Sequence, residues 1–235
     1  MFDFLKEQSD ADIFCFQEVM KSEAKYVSAD GFHSDIYSDL EKILPEHHGF
    51  FASMRKGIAG FEPLEFADFD ADLGTAIFVK KNLKFENHGM DIVHQGNING
   101  RDLRIDCPRG LQHVTLGNTT IFNFHGISTW PKTEDSEARI IQSKNIRSVI
   151  DEFKCRKIVC GDFNLAPETK SMDIIEKGMN NLIKPYGIKS TRSSIFKKEY
   201  KFSDYVLTTP DIKVNSFKVP DVVVSDHLPL ILEFE

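Results

Sequence analysis

The stretch Gly161-Asp-Phe-Asn-Leu-Ala-Pro-Glu-Thr169 sets a carboxylate and a carboxamide two residues apart, directly after the apolar run Arg156-Lys-Ile-Val-Cys160. A buried strand has no structural need of a polar tip. In extended chain, residues i and i+2 point to the same side, so Asp162 and Asn164 are expected to face one cavity. Four more strand-like runs end in similar groups. Phe16 leads into Gln17-Glu18, Phe124 into His125, Lys201-Phe-Ser into Asp204, and Val224 into Ser225-Asp226-His227. If these ends converge, Glu18, Asp162, Asp204 and Asp226 gather around Asn164, His125 and His227. Hard oxygen donors of this kind suit Mg²⁺ or Mn²⁺ rather than zinc. Without a cation, such carboxylates would repel and raise each other's pKa.

The elements that must position these groups are read from periodicity and turn signals. Helices are expected over Phe2–Gln8, Asp35–Leu44, Glu134–Phe153 and Ser171–Gly178, the second stopped by Pro45. Strands are expected over Asp12–Phe16, Gly49–Ser53, Thr75–Val79, Lys84–His94, Lys157–Cys160, Asp204–Thr208, Val222–Val224 and Leu228–Phe234. Leu111–Leu116 and Thr120–Phe124 form a hairpin candidate about Gly117-Asn118. Strands outnumber helices and the two are interleaved. This predicts two packed sheets with helices outside, an α/β sandwich.

The chain has 235 residues, 41% hydrophobic and 28% charged, ordinary values for a folded domain. No linker, repeat or low-complexity segment divides it, so one domain spanning 1–235 is expected. The net charge of −7 argues against a non-specific polyanion binder, though not against an enzyme with a local basic groove. Cys15, Cys107, Cys155 and Cys160 include no C-x-x-C pair and read as free thiols of a reducing compartment. No run is long and apolar enough to span a membrane. A cytoplasmic monomer is the expectation.

The set Gln17-Glu-Val19, Asn123-Phe-His125, Gly161-Asp-Phe-Asn164, Ser203-Asp-Tyr-Val206 and Ser225-Asp-His227 resembles the endonuclease/exonuclease/phosphatase superfamily in order and spacing, over nearly the whole chain. The resemblance implies a four-layer α/β sandwich of two packed mixed sheets flanked by helices. It implies a metal-dependent hydrolase acting on phosphoester bonds. Glu18 would be the metal carboxylate, and Asp226 would support the metal or its water. Asp162 and Asn164 would orient the attacking water and the phosphate. His227 would pair with Asp204 and act on the nucleophile or the scissile phosphate, and His125 would donate to the phosphate or leaving group. The family also begins with a strand ending in a metal-binding Asn. This chain starts at Met1-Phe-Asp-Phe-Leu5, so relative to the family it reads as N-terminally truncated.

Around this set, Arg192 in Ser190-Thr-Arg-Ser-Ser194 is a candidate for a substrate phosphate. Trp130, the one tryptophan, is a candidate for stacking on a substrate ring. Arg101, Arg104 and Arg109 read as a solvated basic loop, and His47, His48, His88 and His94 as surface residues. The acidic stretch Glu62–Asp72 reads as solvated rather than as a second metal site. The first functional reading is a phosphodiesterase whose substrate is a nucleic acid, a small phosphodiester or a phospholipid headgroup. A phosphomonoesterase of the same fold and a non-catalytic nucleotide- or phosphate-binding protein remain open beside it.

Overall fold

In a computed structural model of the chain, the structure describes all residues except 28–32, 58–69, 98, 101, 103 and 132–133. The elements in chain order are α1 (Phe2–Glu7), β1 (Ile13–Ser22), α2 (Ile36–Ile43), β2 (His47–Lys56), β3 (Ala71–Lys80), β4 (Asn87–His94), β5 (Arg109–Leu116), β6 (Thr119–His125), α3 (Glu137–Glu152), β7 (Arg156–Asp162), α4 (Lys170–Glu176), β8 (Asn180–Asn181), β9 (Asp204–Thr208), β10 (Val214–Lys218) and β11 (Ile231–Phe234).

One sheet has six strands in the order β4-β5-β6-β7-β9-β8, with β6 and β7 parallel and the rest antiparallel. A second sheet, β1-β3-β2, is antiparallel throughout, and β10 pairs with β11. Between the sheets lies the main core, which includes Ile77, Leu111, Val114, Phe122, Phe124 and Val159. Ile146 and Ile150 of α3 and Met172 and Ile175 of α4 extend the same core on the far face of the large sheet. Leu5, Tyr37, Leu40 and Leu44 close the small sheet from outside over Phe78. The order helix, sheet, sheet, helix is the expected α/β sandwich. β5 and β6 are covered on both faces, so they read as near-continuous apolar runs rather than alternating ones.

The sandwich interior is not wholly apolar. Asn123 of β6, fully buried, accepts from the Gln17 side-chain amide at 2.6 Å and donates to the carbonyls of Phe16 at 3.0 Å and Ala76 at 3.2 Å. Gln112 of β5 accepts from the Thr75 hydroxyl at 2.9 Å and donates to the Phe50 carbonyl at 2.7 Å. These amides strut one sheet against the other and satisfy groups that would otherwise be costly to bury.

Two local expectations fail. Val222–Val224 forms no strand; Val222 N donates back to Pro220 O, and Val222 and Val223 stay exposed. The partner of the last strand is instead Val214–Lys218. Three consecutive valines carry β propensity, but propensity expresses fit to a half-buried pleated neighbour, and none is offered there. Helix α3 starts at Glu137, three residues later than expected, where the Ser136 hydroxyl caps it by accepting from Arg139 N at 3.3 Å. No described helix is long and apolar enough to cross a membrane. The acidic stretch, from Glu62 to Phe69, and Arg101 lie outside the described residues.

Candidate active site

Sheet register makes the site. β6 and β7 run parallel with His125 level with Asp162, and β7 and β9 run antiparallel with Asp162 level with Asp204. His125, Asp162 and Asp204 therefore occupy three adjacent strands on one rung. Asp204 opens its strand rather than following one, which the antiparallel direction requires. Gly161 permits the close approach: it holds φ +134°, and a β-carbon there would lie 2.0 Å from the Phe124 carbonyl oxygen. Glu18 comes from the other sheet. It sits inside β1, at the register shift between Phe16 and Val19, with φ +55°. The bulge turns its side chain out of the regular alternation, toward the rung.

His227 arrives from the loop before β11 and is held on two sides. Its Nδ1 lies 2.8 and 2.9 Å from the two oxygens of Asp204. A bridge pairs its backbone with Arg192, and the Arg192 guanidinium also touches its Nε2. The segment around Arg192 is a strap. Thr191 Oγ1 accepts from the backbone N–H groups of Ser203 and Asp204, Ser193 N donates to Asp226 O, and Leu228 N donates to Thr191 O. Arg192 itself is buried and donates to Asp226 Oδ2 at 2.8 Å and to Ser203 Oγ at 3.0 Å. Ser203 in turn donates to Asp162 Oδ1. The strap thus ties Asp226, His227, Asp204 and Asp162 together.

Ligand atoms of Asp162, Asp204 and His227 all lie within 4.8 Å of one another. Asp162 Oδ2 is 3.7 Å from His227 Nε2 and 4.0 Å from His125 Nε2, and Glu18 Oε1 is 3.6 Å from His125 Nε2. On its other ring nitrogen, His125 faces Arg109 Nη1 at 3.3 Å. Guanidinium only donates. The lone pair of His125 is therefore on Nδ1, and a neutral ring carries its proton on Nε2, aimed between Glu18 and Asp162.

The charges are mutually adjusted. Crowding by protein atoms and then the Asp162 charge raise the Glu18 pKa. Burial alone would lower His227, but Asp204, the hydrogen bond to it and Asp162 outweigh burial and the opposing Arg192, and the pKa rises to about 9. Burial raises Asp204, against the pull of His227. The 2.8 Å contact with the Asp204 carboxylate fixes a proton on His227 Nδ1.

The strand at Asp162 does not continue to Asn164 as the i, i+2 reading assumed. Asn164 takes a left-handed backbone, φ +56°, and its N–H bonds Asp162 Oδ1 at 2.8 Å. Its side-chain amide donates to Gly126 O at 3.1 Å. Local turn chemistry, in which a side chain bonds the backbone two residues on, replaces the extended geometry. Thr169, at the end of the same stretch, caps α4 by accepting from Met172 N at 3.3 Å. Asp226 is half exposed at the rim and paired with Arg192, outside the tight triad. Trp130 is also exposed, with the Lys198 ammonium 4.1 Å over its ring and Tyr200 edge-on at 4.9 Å.

Two other expectations are corrected. Arg109 is no solvated loop residue: it is 3% exposed and reaches His125. The sequence held the signal, because counting back along the hairpin from Gly117-Asn118 sets the start of β5 beside the end of β6. His47 is buried, its Nε2 2.8 Å from Ala11 O, because β2 begins against the turn after α1. Ser203 and Thr191 stand inside quoted motifs but carry no role in the sequence reading, since serine and threonine are common in loops and give no pattern.

The Endonuclease/Exonuclease/phosphatase family model matches residues 3–227, and the chain belongs to that family. Its members are phosphoester hydrolases, and enzymes of this fold generally use divalent metals. Among solved structures, a mannosyl-6-phosphatase from Bacteroides thetaiotaomicron is similar over 100% of this chain and 88% of its own, at 16% identity and TM-score 0.69. An endonuclease/exonuclease/phosphatase from Beutenbergia cavernae is similar over 99% of this chain and 64% of its own, at 17% identity and TM-score 0.72. The human Nocturnin catalytic domain, with bound sulfate, is similar over 96% and 81%, at 18% identity and TM-score 0.60. At such identities these likenesses speak for the fold. No match was found among curated proteins.

Proposed function

We propose that the protein is a Mg²⁺- or Mn²⁺-dependent phosphodiesterase that hydrolyses its substrate by in-line attack of water. The observation that carries this reading is the rung itself. Asp162 and Asp204 stand beside His227 with ligand atoms within 4.8 Å, and His125 and Glu18 close the same space. The donor set fits a hard divalent cation, since carboxylates dominate it. Glu18 and Asp226 are the carboxylates assigned to the metal. When bound, the cation would offset the charge that builds on the non-bridging oxygens.

The protein groups divide the remaining work. His227, held by Asp204 through Nδ1, presents Nε2 beside Asp162 Oδ2 and acts on the nucleophile or the scissile phosphate. Orienting the water falls to Asp162, whose Oδ2 faces both histidines. His125, with its Nε2 proton aimed inward, donates to the leaving group or phosphate. Asn164 sets the phosphate position, and Trp130 meets the leaving side. Arg192 braces Asp226 and His227 from beneath, and direct contact with a substrate phosphate would require it to release Asp226.

A phosphomonoesterase is the second reading, favoured by one observation: two buried arginines, Arg109 and Arg192, border the carboxylates, and added positive charge suits a dianion. Turnover of an aryl phosphodiester and the matching monoester, with and without Mg²⁺ or Mn²⁺ and beside Asp162→Ala, decides between them. Metal-dependent diester turnover lost in the variant supports the proposal. Preference for the monoester supports the second reading, and nucleotide binding with no turnover of either ester supports a binding protein.

A further inference from the structure

Arg139 lies in the first turn of α3 and is 1% exposed. Its guanidinium spreads over four main-chain carbonyls. Nη1 donates to Pro131 O at 3.2 Å and Glu134 O at 2.6 Å, and Nη2 donates to Thr129 O at 2.7 Å and Asn164 O at 3.0 Å. Three of these belong to the loop that leaves His125 and carries Trp130. The fourth belongs to Asn164. A second hold from the same helix is the Gln142 side chain, which accepts from Ile127 N at 3.2 Å. Burial works against the arginine charge, and nearby Asp135 supports it.

Asn164 needs holding. Its left-handed backbone is disfavoured for a residue with a β-carbon, and three bonds over-determine it: its N–H to Asp162, its side-chain amide to Gly126 O, and its carbonyl to Arg139. Eleven residues separate β6 from α3, and Thr129, Pro131 and Glu134 among them would otherwise be free to shift relative to it. One rigid planar fork from a third element fixes both. An ammonium, with one nitrogen, cannot reach two sides at once.

We propose that Arg139 is a positioning residue that locks the Trp130 loop and Asn164 into one body, keeping the group that meets the leaving side at a fixed distance from the group that meets the phosphate. Its catalytic consequence rests on the phosphoesterase reading; the brace itself does not.

The test uses Arg139→Lys and Arg139→Met in the wild-type and Asn164→Ala backgrounds. Misplacement of about 1 Å costs on the order of 100-fold in rate, so Arg139→Lys should lower kcat by roughly 30-fold with KM changed under about 3-fold. In Asn164→Ala the same change should lower kcat by less than about 3-fold, because the two act through one unit. Trp130 is the only tryptophan, so its fluorescence reports the loop without any turnover. Acrylamide quenching should rise about two-fold in Arg139→Lys as the loop's bonds are lost, while circular dichroism stays native. Equal kcat losses in both backgrounds would overturn the proposal, as would unchanged quenching in the folded variant. If both Lys and Met variants unfold, Arg139 serves stability alone and the proposal falls. Wild-type protein inactive on either ester with either metal would remove the phosphoesterase reading, while quenching would still decide the brace.

Discussion

Replacing Asn123 by leucine tests whether the polar struts hold the two sheets and the site together. The residue is fully buried. Leucine has the same branched outline and is larger, so no cavity arises, and the polar groups it leaves unmet set the minimum cost. The change strips partners from the Phe16 and Ala76 carbonyls and from the Gln17 amide. A buried polar group left unmade costs about 1–3 kcal/mol. Carbonyls retain other bonding capacity, so the low end applies to two of the three groups, giving a loss of about 3–4 kcal/mol. For a chain of this size that is a fall in Tm of roughly 10 °C. Urea unfolding should show a lower midpoint at unchanged slope. Phe16 and Ala76 face each other where the β1 register breaks, two residues before Glu18. The half-saturating Mn²⁺ concentration should therefore rise several-fold in protein that is still folded. A stability loss under about 1 kcal/mol would refute the reasoning, since the amide would then be replaceable by an apolar group at no cost.

Asp162→Asn keeps shape and loses charge; it should lower kcat by about 1,000-fold with the melting temperature nearly unchanged, and activity within ten-fold of wild type would count against the assigned role. Gly161→Ala places a β-carbon against the Phe124 carbonyl at positive φ and should cost several kcal/mol, roughly 3 or more; a thermal melt within 2 °C of wild type would be the contrary result. His113 is packed between Phe122 and Phe153, and neither ring nitrogen has a hydrogen-bond partner among the described residues. Burial lowers its pKa, so the folded state binds its proton less readily than the unfolded chain does. That contribution to stability is complete above the unfolded value of about 6.5 and is lost as pH falls below it, with a slope of at most about 1.4 kcal/mol per pH unit. His113→Phe should flatten the acid limb of a stability–pH profile, and an unchanged limb would assign the slope to other groups.

Most strands, the helices and the candidate site residues were legible in the sequence because each rests on local pattern, while the strand Val214–Lys218 was not. Lys157–Cys160 is apolar and turns polar at Asp162 whatever lies beside it, and the same pattern marks Glu18, His125, Asp204 and His227 as candidate site residues. Turn chemistry at Gly117-Asn118 gave the hairpin. Where the same local pattern met no partner, at Val222–Val224, the expectation failed.

What only the tertiary structure decided was which groups face which. The rung of His125, Asp162 and Asp204 depends on the register of β6, β7 and β9, strands set by bonds between residues far apart in sequence. Glu18 reaches it through a bulge, a count of one extra residue that no periodicity shows. The three arginines are the clearest case. Arg109, Arg139 and Arg192 look alike in sequence, yet one orients His125, one gathers four carbonyls, and one sits between Asp226 and His227. A long charged side chain is buried only where the fold supplies acceptors for its donors, and those acceptors come from other elements. The sequence therefore names candidate groups, while the fold decides which of them meet and which side chains hold them in place.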